Sequence, residues 1–175
     1  ILSNDLNEID VLNERLLKEK TDENIKFITS AIPEILNFYN INVIVMYGDT
    51  DSIFCDPKIS DKNGKLIKDK SAISVAIKIG QLASLFIKKK LLFPHNLEYE
   101  KTFYPFCIMA KKKYVGNKYE DDENKSKLSY MGIVLKRRDN ANIVKKVLGG
   151  LVNIMMYEND VEKALNYIKT MCSNL

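Results

Sequence analysis

Residues 43–55, Val43-Ile44-Val45-Met46-Tyr47-Gly48-Asp49-Thr50-Asp51-Ser52-Ile53-Phe54-Cys55, place two short β-branched or aromatic runs on either side of a glycine and two aspartates. Runs of this composition, bounded by Gly and Asp, read as two strands joined by a tight acidic turn. Asp49 and Asp51 are two residues apart, a spacing that on extended backbone points both carboxylates to one side, and Gly48 before them allows a close approach. Two such carboxylates repel unless a cation joins them. Oxygen-only ligands at this spacing suit Mg²⁺, which takes one or two carboxylates and completes its shell with water and substrate phosphate. A calcium-binding EF-hand loop starting at Asp49 is excluded, because its fifth, sixth and twelfth positions are Ile53, Phe54 and Ser60. A bare Asp-x-Asp between strands is more often a hydrogen-bonded turn than a metal site, so the flanking residues must decide.

Upstream, Ile25, Ile28, Ile32, Ile35 and Leu36 recur at helical spacing and predict an amphipathic helix from Glu23 to Phe38, with Pro33 a candidate kink; residues 1–22 read as a further, weaker helix. Downstream, Asn63-Gly64 signals a turn, and Val75, Ile79, Leu82 and Phe86 form the stripe of a packing helix from Ser71 to about Leu92. Strands are predicted at Leu97–Tyr99, Phe106–Val115 and Tyr130–Leu135, with turns at Gly116-Asn117 and around Glu120–Glu123. Beyond Arg138 the period is helical. Asp139 or Asn140 can cap a helix bearing Ile143, Val144, Val147, Leu148 and Leu151, and Asp160 can cap one bearing Val161, Leu165, Ile168 and Cys172. The pattern is an α+β half followed by a helical C-terminus.

The 175 residues are 46% apolar and 29% charged, the composition of a globular unit and not of a disordered tail. A net charge of +4 is too mild to identify a nucleic-acid partner, but its distribution is uneven. Residues 111–175 hold 13 basic and 8 acidic side chains, leaving 14 and 15 for residues 1–110, so all the positive excess lies in the C-terminal third. Cys55, Cys107 and Cys172 are odd in number and far apart, and His95 is the only histidine. This excludes a disulfide scaffold and a Cys/His zinc site, and leads us to expect a reducing, intracellular compartment. No charged-then-apolar leader follows Ile1, so no secretory signal is expected. The most apolar helical stretch, Ile73–Ile87, is broken by Lys78 and Gln81 and followed by three lysines, short of the roughly 20 apolar residues of a span, so no membrane partner is expected.

The six residues Tyr47-Gly48-Asp49-Thr50-Asp51-Ser52, entered by an apolar strand and left through Ile53-Phe54, resemble motif C of the family B DNA polymerases. Leu97-Glu98-Tyr99-Glu100-Lys101, Pro105-Phe106 and Ala110-Lys111-Lys112-Lys113-Tyr114-Val115-Gly116 resemble the family's next segment, which ends in a KKRY-type motif. Gly132-Ile133 with Lys136-Arg137-Arg138-Asp139-Asn140 resembles the strand that meets the primer where the thumb begins. The three blocks keep the family's order and cover roughly Asn24 to Leu175. Their wording is most similar to the polymerases of large nucleo-cytoplasmic DNA viruses. The first palm aspartate motif, the fingers motif and the exonuclease carboxylates are missing, and residues 1–22 do not match the glycine-arginine segment expected before motif C. The resemblance therefore implies the C-terminal part of a palm over residues 1–138, an antiparallel sheet with packing helices, followed by the start of a helical thumb over 139–175, inactive by itself.

By the same resemblance, Asp51 is the principal ligand of two Mg²⁺ ions, shared with an aspartate outside this chain, and Asp49 supports the site; both are catalytic. Tyr47 and Thr50 would line the primer end, and Glu98 is either a peripheral acid of the site or a solvated strand residue. Lys111, Lys112, Lys113, Tyr114, Gly116, Lys136, Arg137 and Arg138 would hold primer-template DNA. On one strand Lys112 and Tyr114 would share a face and Lys111 and Lys113 the other. The implied partners are primer-template DNA, dNTP and a sliding clamp reached through the full-length protein, at the nucleus or a cytoplasmic viral replication site. The competing reading is a non-catalytic DNA-binding module that keeps a palm scaffold. A reverse transcriptase or RNA polymerase palm would instead show a bare Asp-Asp pair.

Overall fold

The structure is a computed structural model that describes residues 22–92, 94–133, 135 and 141–173. Residues 1–21, and with them the first expected helix, lie outside the described residues, as do Lys136–Asn140. Two compact units divide at Glu100 and Lys101. Both are α+β, with small antiparallel sheets and packing helices.

The first unit opens with α1 (Asp22–Phe38), which continues through Pro33, and then β1 (Tyr39–Asn40), β2 (Ile44–Asp49), β3 (Ser52–Asp56), β4 (Ser60–Asp61) and α2 (Lys70–Lys88). Helical spacing puts Ile28, Ala31, Ile32 and Ile35 on one face of α1, where they pack with Val75, Ile79 and Leu82 of α2 around Ile59. Each of the Ile, Val and Leu side chains contributes about 1.5–3 kcal/mol on burial. Polar groups close the ends. Asp69 accepts a hydrogen bond from the Ser71 amide at the start of α2, and Lys62 Nζ donates to the carbonyls of Leu36 (2.6 Å) and Tyr39 (3.3 Å), supplying a cation that the last turn of α1 lacks. Lys78 of α2 donates to both carboxylate oxygens of Glu34 of α1 at 2.7 Å.

Contrary to the composition argument, α2 is long and apolar enough to pass for a membrane span by length and composition. Its buried Ile73, Val75, Ile77, Ile79 and Leu82 give it the face of a core helix. Residues 97–99 are not a strand. They are held instead by the Tyr99 ring, which fills the space over Gly80, where a Cβ would lie 2.3 Å from the ring.

The second unit contains β5 (Thr102–Ala110), β6 (Lys113–Tyr119) and β7 (Lys127–Met131) in that order, then α3 (Asn142–Asn153), a π-helical segment (Ile154–Glu158) and α4 (Val161–Ser173). Val115 of β6 stands between Cys107 and Tyr130 in one cross-strand row, and this row packs against Val152, Met156 and Leu148. The opposite face carries the rings of Phe103, Phe106 and Tyr114, with Phe103 and Phe106 stacked at 4.8 Å. α4 starts as expected, with the Asp160 carboxylate accepting from the Lys163 amide at 2.9 Å. Its expected apolar stripe does not pack inward, however: Val161 is 65% and Leu165 52% exposed, and Ala164 is the buried residue. Helix contact decides the face, because Tyr167 donates its hydroxyl to the Lys146 carbonyl of α3 at 3.1 Å, lying across Gly150, where a Cβ would collide with that hydroxyl.

Candidate active site

The acidic turn is the tip of the β2–β3 hairpin. Ile44 pairs with Asp56, Gly48 with Ile53 and Asp49 with Ser52, leaving Thr50 and Asp51 as a two-residue connection; one irregularity between Val45 and Tyr47 shifts the register. Thr50 has φ 55°. A β-branched residue in the left-handed region is strained by about 1–3 kcal/mol, and hydrogen bonds around Asp49 hold it there. The Thr50 hydroxyl donates to Asp49 Oδ1 at 3.1 Å, and the Ser52 hydroxyl donates to the Asp49 carbonyl at 3.2 Å.

This corrects the strand argument for the two aspartates. Asp49 ends β2, half-buried, whereas Asp51 sits exposed in the turn after the chain has begun to reverse, so the two-residue period does not govern their relation. Both belong to the hairpin tip. Tyr47 lies two pairs further down from Asp49, with its ring on Phe54, 5.6 Å between centroids. The donor set at the tip is oxygen only, which fits a hard divalent cation. Among the described residues no group of three or more His, Cys, Asp or Glu side chains could hold a metal ion. Both strands also leave apolar surface open, with Val45 63% and Ile53 53% exposed. Glu98, exposed, accepts from Asn96 Nδ2 at 2.8 Å.

The basic block is a second hairpin. Ala110 pairs with Lys113, so Lys111 and Lys112 form its turn, with Lys112 at φ 58°. The expected turn at Gly116-Asn117 is instead the middle of β6, where Gly116 pairs with Phe106 and Ser129. Lys111, Lys112 and Lys113 are all exposed, but alternation begins only at Lys113, so Lys112 and Tyr114 do not share a strand face. Tyr114 is half-buried, edge-on to Phe103 (6.0 Å, 70°) and tilted to Phe106 (5.5 Å, 60°). Gly116 is buried beneath those rings: a Cβ would lie 2.9 Å from atoms of Phe103, Phe106 and the Pro105 carbonyl. Its missing side chain makes room for aromatic packing. The turn is backed by Gly132, at φ 63°, where a Cβ would stand 2.1 Å from the Lys112 carbonyl oxygen. Lys136, Arg137 and Arg138 lie outside the described residues.

Two contributors had other roles in the sequence reading, Gly132 in the strand expected to meet the primer and Asn117 in an expected turn. Gly132 is placed by its positive φ, which no local pattern signals. Asn117 is buried, and the two-residue period through Val115 and Tyr119 was the signal that turns it inward.

With this geometry, the chain belongs to DNA polymerase family B, whose family model matches residues 7–175. Within that family it is 55% identical over 130 residues to the DNA polymerase of Pyramimonas orientalis virus, a match covering 74% of this chain and 11% of that protein. It is 44% identical over 127 residues to the DNA polymerase of Acanthamoeba polyphaga mimivirus, covering 73% and 7%. Against the DNA polymerase delta catalytic subunit of Dictyostelium discoideum it is 30% identical over 141 residues, covering 81% and 12%. Identity is thus higher to the two viral enzymes than to the cellular one, as the wording of the motifs implied. The chain spans about a tenth of the length of these curated relatives.

Proposed function

We propose that this chain is the C-terminal part of the palm and the start of the thumb of a DNA-directed DNA polymerase that transfers a deoxynucleoside monophosphate from dNTP to a primer 3′-hydroxyl in replication. The observation that carries the reading is the hairpin tip, two aspartates flanking a strained threonine, inside a sequence that the family matches. Two Mg²⁺ ions, when bound, supply activation of the 3′-hydroxyl and neutralisation of the charge developing on the phosphate. Asp51 would hold both ions together with an aspartate beyond this chain, its exposure at the tip leaving it open to that partner. Asp49, oriented by the Thr50 hydroxyl, would support the same site through its carboxylate. Tyr47 and Thr50 would line the primer end.

Lys111, Lys112 and Lys113 would hold primer-template phosphates from an exposed turn, with Lys136, Arg137 and Arg138 adding contacts on the primer. Tyr114 supports that turn through its ring contacts, and Gly116 contributes by admitting those rings. The open apolar strands of the acidic hairpin fit a palm sheet continued by other parts of a longer enzyme. A sliding clamp would bind that longer enzyme, inside the cell.

In a complete polymerase, Asp51→Asn should lower single-turnover incorporation with Mg²⁺ on the order of 10²–10³-fold, the equivalent of several kcal/mol of lost metal stabilisation, with primer-template affinity nearly unchanged. Asp49→Asn should cost as much or less. An Asp51→Asn enzyme within a few-fold of wild type would remove the catalytic assignment.

A further inference from the structure

Asn117 is the only polar residue buried among the described residues, 4% exposed. It stands on β6 in the row Val115, Asn117, Tyr119 that faces the helices. Its Nδ2 donates to the Met156 carbonyl at 2.6 Å, across 39 positions of sequence, and its Oδ1 is buried with no partner in the protein. The accepting carbonyl belongs to the π-helical segment, where the helix widens between α3 and Asn159, itself at φ 53°.

Packing alone does not account for this residue. Its neighbours in the row are apolar or aromatic; an apolar side chain there would fill the space without the unpartnered Oδ1, but it would leave the Met156 carbonyl without this donor. A directional bond adds what apolar contact does not, a single register between strand and helix. β6 begins at Lys113, directly after the Lys111–Lys112 turn, so whatever fixes β6 on the helices fixes the basic hairpin on them too.

We infer that Asn117 is a positioning residue that locks the basic hairpin to α3, the π-helical segment and α4, so that hairpin and helices hold the duplex as one body. This rests on the reading that Lys111–Lys113 grip primer-template DNA. In the complete polymerase, Asn117→Leu keeps the branched four-atom outline and removes the donor. It should speed primer-template dissociation roughly tenfold and shorten the product made per binding event, while incorporation per bound complex stays within about twofold. Asn117→Ser, too short to reach the Met156 carbonyl, should act in the same direction and serves if the leucine variant does not fold. Val152→Ala, a cavity in the same core that leaves the bond intact, should lower the thermal midpoint yet leave dissociation within about twofold.

Unchanged dissociation in both Asn117 variants, or an equal acceleration in Val152→Ala, would overturn the assignment. The Lys111–Lys113 triple alanine variant separates the two levels. If it dissociates faster while the Asn117 variants do not, the positioning role alone fails. If it too dissociates at the wild-type rate, the grip reading fails and takes the positioning role with it.

Discussion

Thr50 combines an unfavourable backbone with a useful side chain. At φ 55° glycine would be less strained, yet only a hydroxyl can donate to Asp49 Oδ1 at 3.1 Å. If orientation of Asp49 is what the residue supplies, Thr50→Val should lower single-turnover incorporation roughly tenfold, the order expected for one hydrogen bond to a charged group, with primer-template affinity unchanged. Thr50→Ser should stay within a few-fold. Thr50→Gly relieves the backbone and lacks the hydroxyl, so it should behave like the valine variant; wild-type rates for glycine would show that the turn shape alone matters.

At the scale of elements, two glycines of the second unit make opposite predictions. Gly132 follows β7 at φ 63° with the Lys112 carbonyl 2.1 Å from where a Cβ would be, and backbone cannot swing aside as a long side chain does. Gly132→Ala should therefore destabilise by about 2–4 kcal/mol and weaken duplex binding, since it displaces the lysine turn. Gly149 lies inside α3, and its Cβ would meet only Leu135 Cδ2 at an ordinary 3.8 Å. Gly149→Ala should stabilise the helix by about 0.5–1 kcal/mol. Thermal unfolding midpoints of the two variants, moving in opposite directions from wild type, check both. Equal shifts would mean that the Lys112–Gly132 approach is slack.

For the whole molecule the relevant quantity is where the charge sits. The positive excess belongs to residues 111–175, and its described part includes the exposed turn Lys111–Lys112 with Lys113 at the start of β6. Replacing these three by alanine in the complete enzyme should weaken duplex binding by similar factors for any sequence, because lysine–phosphate pairing carries no base identity. The slope of log affinity against log salt should flatten by about 0.9 for each phosphate of B-form DNA that is no longer neutralised. A salt titration on two unrelated duplexes measures this, and an unchanged slope would return the three lysines to ordinary solvated charge.

Much of this molecule was legible in the order of its residues. The helical stripes of α1 and α2, the acidic hairpin and the Asp160 cap follow from periodicity and turn chemistry acting over a few residues, and six contiguous residues around Asp49 and Asp51 carried the family. Other features depended on groups distant in sequence. The two aspartates flank a chain reversal at a left-handed Thr50, a state that local propensity disfavours and that hydrogen bonds to Asp49 stabilise. The second hairpin turns at Lys111–Lys112 rather than at the glycine, because Gly116 is needed where three rings close over β6. Residues 97–99 are held by a ring over Gly80 instead of a ladder, and α4 turns Ala164 and Tyr167 inward because α3 offers a glycine there. A pattern of apolar residues states which side chains avoid water; which of them succeed depends on the neighbour that covers them, and only the tertiary structure supplies that neighbour.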